Sequence, residues 1–284
     1  MQSQKTSKRI FKTLLYYIGL IAAAMVYILP ILLVIFSAFK VNRLELTTHL
    51  SNFNAFLPKG QLGLQNFIDV FTRINLGHFL MNSVIITSST VLLGLIVNSA
   101  LGYSLARLPL KGKNLILLLV ISIMIIPGES VVVPLLTMVM KMGIVETYIV
   151  QIIPFIADAF YIFLFTQAFR NLPKELEEAA LIDGANYLKI FYKIILPVSK
   201  PTVVTVAILS SIGRWGDVLW PTMVTRSAEY RPLALGVLQL FSVQPQNWGN
   251  IFASAVVMTI PILILFLIFQ KHFVNSMASS GIKG

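Results

Sequence analysis

Cysteine is absent from the 284 residues, which excludes disulfides, thiolate metal sites and cysteine nucleophiles. Charge is scarce. Only 12% of the chain is Asp, Glu, Lys or Arg, about half the share in an ordinary soluble domain. Acidic residues are scarcest, 11 against 22 basic ones. The three histidines, His49, His78 and His272, are scattered and no H-E-x-x-H is present, so no metal site is expected. Against these absences stands a hydrophobic share of 57%. A soluble fold with that composition could not cover itself with polar surface, and disorder needs low hydrophobicity. The class left is an all-α, polytopic membrane protein.

Charged residues punctuate the apolar runs. The first run, Thr13–Phe39, lies between Lys12 and Lys40 and follows a basic start. It exceeds the apolar core of a signal peptide, so an uncleaved first helix is expected. The second is Phe79–Ala106. The third follows Lys113 and is interrupted by Pro127, Gly128 and Glu129. It is placed at 114–133, with a short rim helix over 134–142. The fourth is Thr147–Phe169, broken only by Asp158, and the fifth Pro201–Thr225, containing Arg214 and Asp217. Residues 232–243 form an outer amphipathic segment and 250–270 the sixth span. Six spans in one permease domain, 1–284, put both termini on one side. Arg107, Lys111, Lys113 and the basic residues of 1–12, 170–200 and 271–284 all fall on that side. Positive segments stay cytoplasmic, so the termini are assigned there and residues 40–77 become an external loop. The net charge of +11 is thus a topology signal, and no nucleic acid partner is expected.

Residues 171–200 do not read as a loop. Asn171 suits a helix N-cap and Pro173 a first turn. Glu175, Glu177 and Glu178 favour the positive end of the helix dipole. Leu176, Ala179, Ala180 and Asp183 share a face, and Gly184 allows a stop. A second helix begins at Ala185–Ile195 and ends at Pro197. The pair either lies on its own bundle or offers a thin, carboxylate-bearing helix to a groove on another protein.

The run Glu178-Ala179-Ala180-Leu181-Ile182-Asp183-Gly184-Ala185, followed by Phe191, Leu196 and Pro197, resembles the EAA loop of ABC importer membrane subunits. Its form is similar to the carbohydrate-uptake, MalG-like family. Trp215-Gly216-Asp217-Val218-Leu219-Trp220-Pro221 and the ending Gly281-Ile282-Lys283-Gly284 resemble the same family, although Gly216 stands where Asn is usual. The resemblance implies a prokaryotic cytoplasmic-membrane permease for a sugar or oligosaccharide. Its implied partners are a MalF-like second permease, two ABC ATPases, an extracytoplasmic binding protein and membrane lipid. It also implies that Glu178, Ala179, Ala180, Asp183 and Gly184 couple to an ATPase, and that the tail residues Gly281, Ile282, Lys283 and Gly284 contact the ATPase pair.

The chain itself is no motor. Its only Gly-Lys pair, Gly112-Lys113, is followed by Asn114, and Arg107 stands where a phosphate loop needs glycine. No nucleophile–base pattern marks an enzyme, and no cofactor is expected. Ionisable residues inside spans usually face a cavity or a partner. Asp158, Arg214, Trp215 and Asp217 are therefore candidates for the translocation cavity, with pairing or packing as the alternative. An ion-coupled secondary transporter would use the same three charges as a relay, but would leave the EAA pattern unexplained.

Overall fold

A computed structural model describes residues 2–243 and 245–281. Among these every regular element is helical, and the one extended contact is an isolated bridge between Lys40 and Leu62. Among the described residues three helices are long and apolar enough to cross a membrane, and three bent pairs, each counted as one span, bring the candidates up to six. Contacts divide the chain into two compact units. One holds the chain up to Leu76 with Val237–Thr259; the other holds Gly77–Gly236 with the chain from Ile260 onward.

In the first unit, α1 (Gln2–Phe39) is unbroken and exposed over residues 12–27, as suits a helix whose neighbour is lipid, and becomes buried at Ser37 and Ala38. The expected outer loop is partly helical: α2 (Arg43–Leu50), a 3-10 turn at Phe53–Phe56 and α3 (Gln65–Thr72). Two side chains organise it. Lys40 is buried and donates from Nζ to the Asn54 carbonyl at 2.7 Å, and burial holds its ammonium below the usual lysine range. Asn66 donates to the carbonyls of Ala38 and Lys40, both at 2.9 Å, satisfying the end of α1. Gly249 packs on this amide, and a Cβ there would lie 2.6 Å from it.

In the second unit, α4 (Leu76–Arg107) is the long central element, starting one turn earlier than the sequence predicts. The third span differs from its expectation. α5 (Lys113–Ile123) ends early, and α6 (Gly128–Lys141) departs at 99°. Pro127 lacks an N–H and disfavours helix at the preceding residue, so the break falls there. Pro134, expected to open a separate helix, lies inside α6.

The fourth span is α7 (Tyr148–Ile152), a 3-10 turn at Ile153–Phe155 and α8 (Ala159–Arg170), bent by 42°. Its break is repaired by α4. Asn98 donates to the Ile156 carbonyl at 3.0 Å, and its Oδ1 accepts the Asp158 N–H at 2.9 Å. In hydrocarbon both groups would otherwise be unpaired. After α9 (Glu175–Ile182), α10 (Tyr187–Ile190) and α11 (Leu196–Val198) come α12 (Lys200–Trp215) and α13 (Leu219–Val224), separated at Gly216. α13 is fastened to α7 by the Trp220 indole, which donates to the Val150 carbonyl at 2.9 Å.

α14 (Leu233–Gln239) is followed by α15 (Trp248–Gly281). The expected sixth span, 250–270, continues as helix through most of the expected tail. Neither proline nor glycine interrupts the chain after Gln270 until Gly281.

α4 packs tightly on α8 at Gly102, where an added Cβ would lie 2.6 Å from Phe165 Cβ and 3.1 Å from the Thr166 nitrogen. Gly102→Val should destabilise the protein by about 1–3 kcal/mol or more, read as a lower unfolding midpoint of the purified complex. Gly213→Ala, whose Cβ meets nothing within 4 Å, should leave the midpoint unchanged or slightly raised.

Candidate coupling site

α9 starts later than expected. Asn171 closes α8, its N–H donating to the Gln167 carbonyl at 3.2 Å, and the N-cap of α9 is Lys174. Glu175, Glu177 and Glu178 occupy the first turn, where the helix dipole favours them. At the other end Gly184 has φ +77°. Its N–H donates to the Leu181 carbonyl at 3.0 Å and that of Ala185 to the Ala180 carbonyl at 2.9 Å. This is a Schellman closure, which favours glycine at that position. Asn186 then caps α10, accepting from the Lys189 N–H at 2.8 Å. The second helix passes through a π turn at Phe191–Ile195 and ends at Val198, one residue past Pro197. The turn widens just ahead of Pro197, which has no N–H for the preceding carbonyls.

The two faces of α9 differ. Ala180 is buried with Tyr103, Phe165, Phe169, Ile190, Ile195 and Val206 in an apolar cluster. Glu178, Ala179, Ile182 and Asp183 are exposed, Ile182 by 87%. The two alanines expected on one contact face are therefore split: Ala179 faces out, and Ala180 faces the protein's own bundle. The inner face bears out the reading that the pair lies on its own bundle, and the outer face is left uncovered.

The inner face carries a carboxylate that sequence reasoning passed over. Glu177 approaches Arg107, with Oε1 3.5 Å from Nε and side chains 11% and 5% exposed. The same guanidinium donates to the carbonyls of Phe169, at 2.9 Å from Nε, and Leu172. Burial pushes the Glu177 carboxyl above its ordinary range, and the Arg107 charge pulls it partly back. Arg107 closes a long apolar run and was read only as a topology marker. Glu177 lies three residues before Ala180, the spacing that could have placed it on the inner face.

The intramembrane candidates separate. Arg214 and Asp217 pair at 3.2 Å, and the Arg214 guanidinium lies 4.0 Å above the Phe155 ring. Asp217 also accepts from the Trp220 N–H at 3.4 Å. The cavity beside them, shared with Ser83, Thr87 and Gln151, measures about 10 Å³, room for one water. Asp158 is the N-cap of α8, accepting from the N–H groups of Phe160 at 2.9 Å and Tyr161 at 3.2 Å. Trp215 lies instead on an open groove of about 400 Å³ between α4, α12 and α15. Ser88 and Ser211 on that groove donate back to their own helices, to the Val84 carbonyl at 2.6 Å and the Ala207 carbonyl at 2.7 Å. Among the described residues no cluster of three His, Asp or Glu could hold a metal. Of the expected tail contacts, Gly281 ends α15, and Ile282, Lys283 and Gly284 lie outside the described residues.

The family described as the inner membrane component of binding-protein-dependent transport systems matches residues 98–279. The chain belongs to this family. The matched stretch contains α9 to α11 and the three bent helix pairs. This permease is 35% identical to the arabinooligosaccharide transport permease AraQ of Halalkalibacterium halodurans over 268 residues, 94% of this chain and 95% of that protein. It is 36% identical to the melibiose/raffinose/stachyose import permease MelC of Bacillus subtilis over 228 residues, 78% and 82% of the two chains. The trehalose/maltose permease MalG of Thermococcus litoralis is 29% identical over 282 residues, 98% of this chain and 99% of that one. The fold is shared with a crystal structure of a bacterial ABC transporter that imports the acidic polysaccharide alginate. There the TM-score is 0.83 at 22% identity, covering 94% of the permease and 98% of that chain. The permease is a transport subunit, as these relatives are, rather than an enzyme.

An added Cβ at Gly184 meets nothing within 4 Å, so only its positive φ restricts substitution. Gly184→Leu should cost about 1 kcal/mol or more through backbone strain, read as reduced transport by the permease complex. Gly184→Asn, which tolerates this conformation, should be milder.

Proposed function

We propose that the permease forms one half of the translocation pathway of an ATP-driven importer for a sugar or oligosaccharide. The observation that carries this reading is the two-faced α9. Its inner face is built into the bundle, and its outer face presents Glu178, Ala179, Ile182 and Asp183 to the surroundings. A cytoplasmic ATPase docks on that outer face, and its closure reaches the spans through the inner one. Two ATPase subunits, a second MalF-like permease and an extracytoplasmic binding protein complete the assembly in the lipid of a prokaryotic cytoplasmic membrane. The relatives named above, which carry oligosaccharides, support the substrate class. The chain acts as one permease domain, and its tail, Gly281–Gly284, contacts the ATPase pair.

Both termini and residues 171–200 are cytoplasmic, and 40–77 external. Arg214, Trp215, Asp217 and Asp158 border the pathway. In this conformation the space beside Arg214 and Asp217 is one water wide, and a sugar enters only after the helix ends around it separate. An ion-coupled mechanism receives no support: Asp158 caps a helix, and Arg214 and Asp217 satisfy each other.

The docking face is tested by alanine substitution in the assembled complex. Glu178→Ala should cut transport about tenfold or more, because a charged partner on the ATPase is left unpaired. Glu175→Ala should be mild. The opposite pattern would require the contact face of α9 to be rotated. The absence of native cysteine makes the topology directly testable. A cysteine in place of Asn54 should react with an impermeant thiol reagent added outside intact cells, and one in place of Asn186 should not.

A further inference from the structure

Three helix ends meet at Arg107. It closes α4, its guanidinium binds the Phe169 and Leu172 carbonyls at the end of α8, and it faces the Glu177 carboxylate of α9. Resting on the importer reading above, we infer that Arg107 and Glu177 are positioning residues that form the joint through which motion of the coupling helix reaches two spans at once. The apolar packing around Ala180 is non-directional and permits sliding. A planar guanidinium fork holds its acceptors in fixed directions. The helix-end carbonyls carry the negative pole of α8, so the cation is favoured there independently of Glu177.

The joint is also incompletely satisfied. Glu177 Oε1 is buried without a hydrogen bond, and its 3.5 Å approach to Nε is held by charge alone while that N–H points to Phe169. One guanidinium thus serves three acceptors. A small rotation exchanges a carbonyl for the carboxylate and gives the joint two discrete arrangements, the kind of element through which coupling is carried. A push on the exposed Ile182–Asp183 end of α9 moves Glu177 on the same short helix and shifts the choice between them.

The experiment compares Glu177→Gln, Arg107→Lys and wild type in the full transporter, reconstituted with its binding protein in proteoliposomes and assayed over a panel of oligosaccharides. The readouts are ATPase activity with and without loaded binding protein, and sugar transported per ATP hydrolysed. In assembled complexes Glu177→Gln should lower both the stimulated-to-basal ratio and the sugar-to-ATP ratio about tenfold. Arg107→Lys keeps the charge without the fork and should fall between it and wild type. Unchanged ratios would overturn the inference, as would transport and hydrolysis falling together with their ratio constant. If Glu177→Gln does not assemble, Arg107→Lys is read by the same criteria. Failure of both to assemble would assign the pair to folding and overturn the inference too. A wild-type complex that no loaded binding protein stimulates would instead overturn the importer reading itself.

Discussion

Within hydrocarbon, a backbone N–H or C=O that leaves its helix has to find a partner inside the chain. This protein breaks several of its spans and so meets that demand repeatedly. The break in the fourth span exists because Asn98, in the middle of α4, accepts one freed N–H and donates to one freed carbonyl. Asp158 takes two more donors as the cap of α8. The end of α1 follows the same logic through Asn66, and α13 is fixed through Trp220. Polar side chains on one helix thus permit irregular backbone on the next. The position of α8, and with it the apolar cluster that seats Ala180 of α9, depends on Asn98.

Helices α9 to α11 are made from opposite requirements. Their inner side needs shape and a fixed register, supplied by Ala180, Ile190 and Ile195 against the rings of Tyr103, Phe165 and Phe169. Tyr103 also lies 5.1 Å from the Phe191 ring, centroid to centroid. Their outer side needs exposure, and leaves large apolar residues such as Ile182 and Leu188 in the open. On a monomeric soluble protein such exposure would be a liability. On the docking face proposed for α9 it would be contact area.

What the sequence revealed was local. Six apolar runs, the short helix before Gly184 and the acidic first turn follow from neighbours in the chain, and the EAA pattern is itself a contiguous string. What it hid was long-range. Nothing near Asn98 announces that it completes a break beyond Ile156, and nothing near Arg107 announces Glu177. Charges inside spans pointed to a pathway, and that Asp158 also caps α8 was hidden because capping is decided by where a helix starts. The third span was misplaced because Pro127 and Pro134 look alike in sequence, and only one of them breaks the helix.

The corner between α5 and α6 changes how the surrounding bilayer has to behave. Eleven residues of α5 rise about 16 Å, roughly half of a ~30 Å hydrocarbon layer. There the chain turns through 99°, and α6 runs off crosswise with Val131, Val133, Met138 and Met140 uncovered. Wherever lipid borders this corner, acyl chains meet the flank of a helix instead of running alongside one. Longer acyl chains must compress or splay there, and shorter ones are accommodated with less distortion. The fit of this span to a bilayer therefore depends on hydrocarbon thickness on each side of the corner, not on the length of one continuous helix.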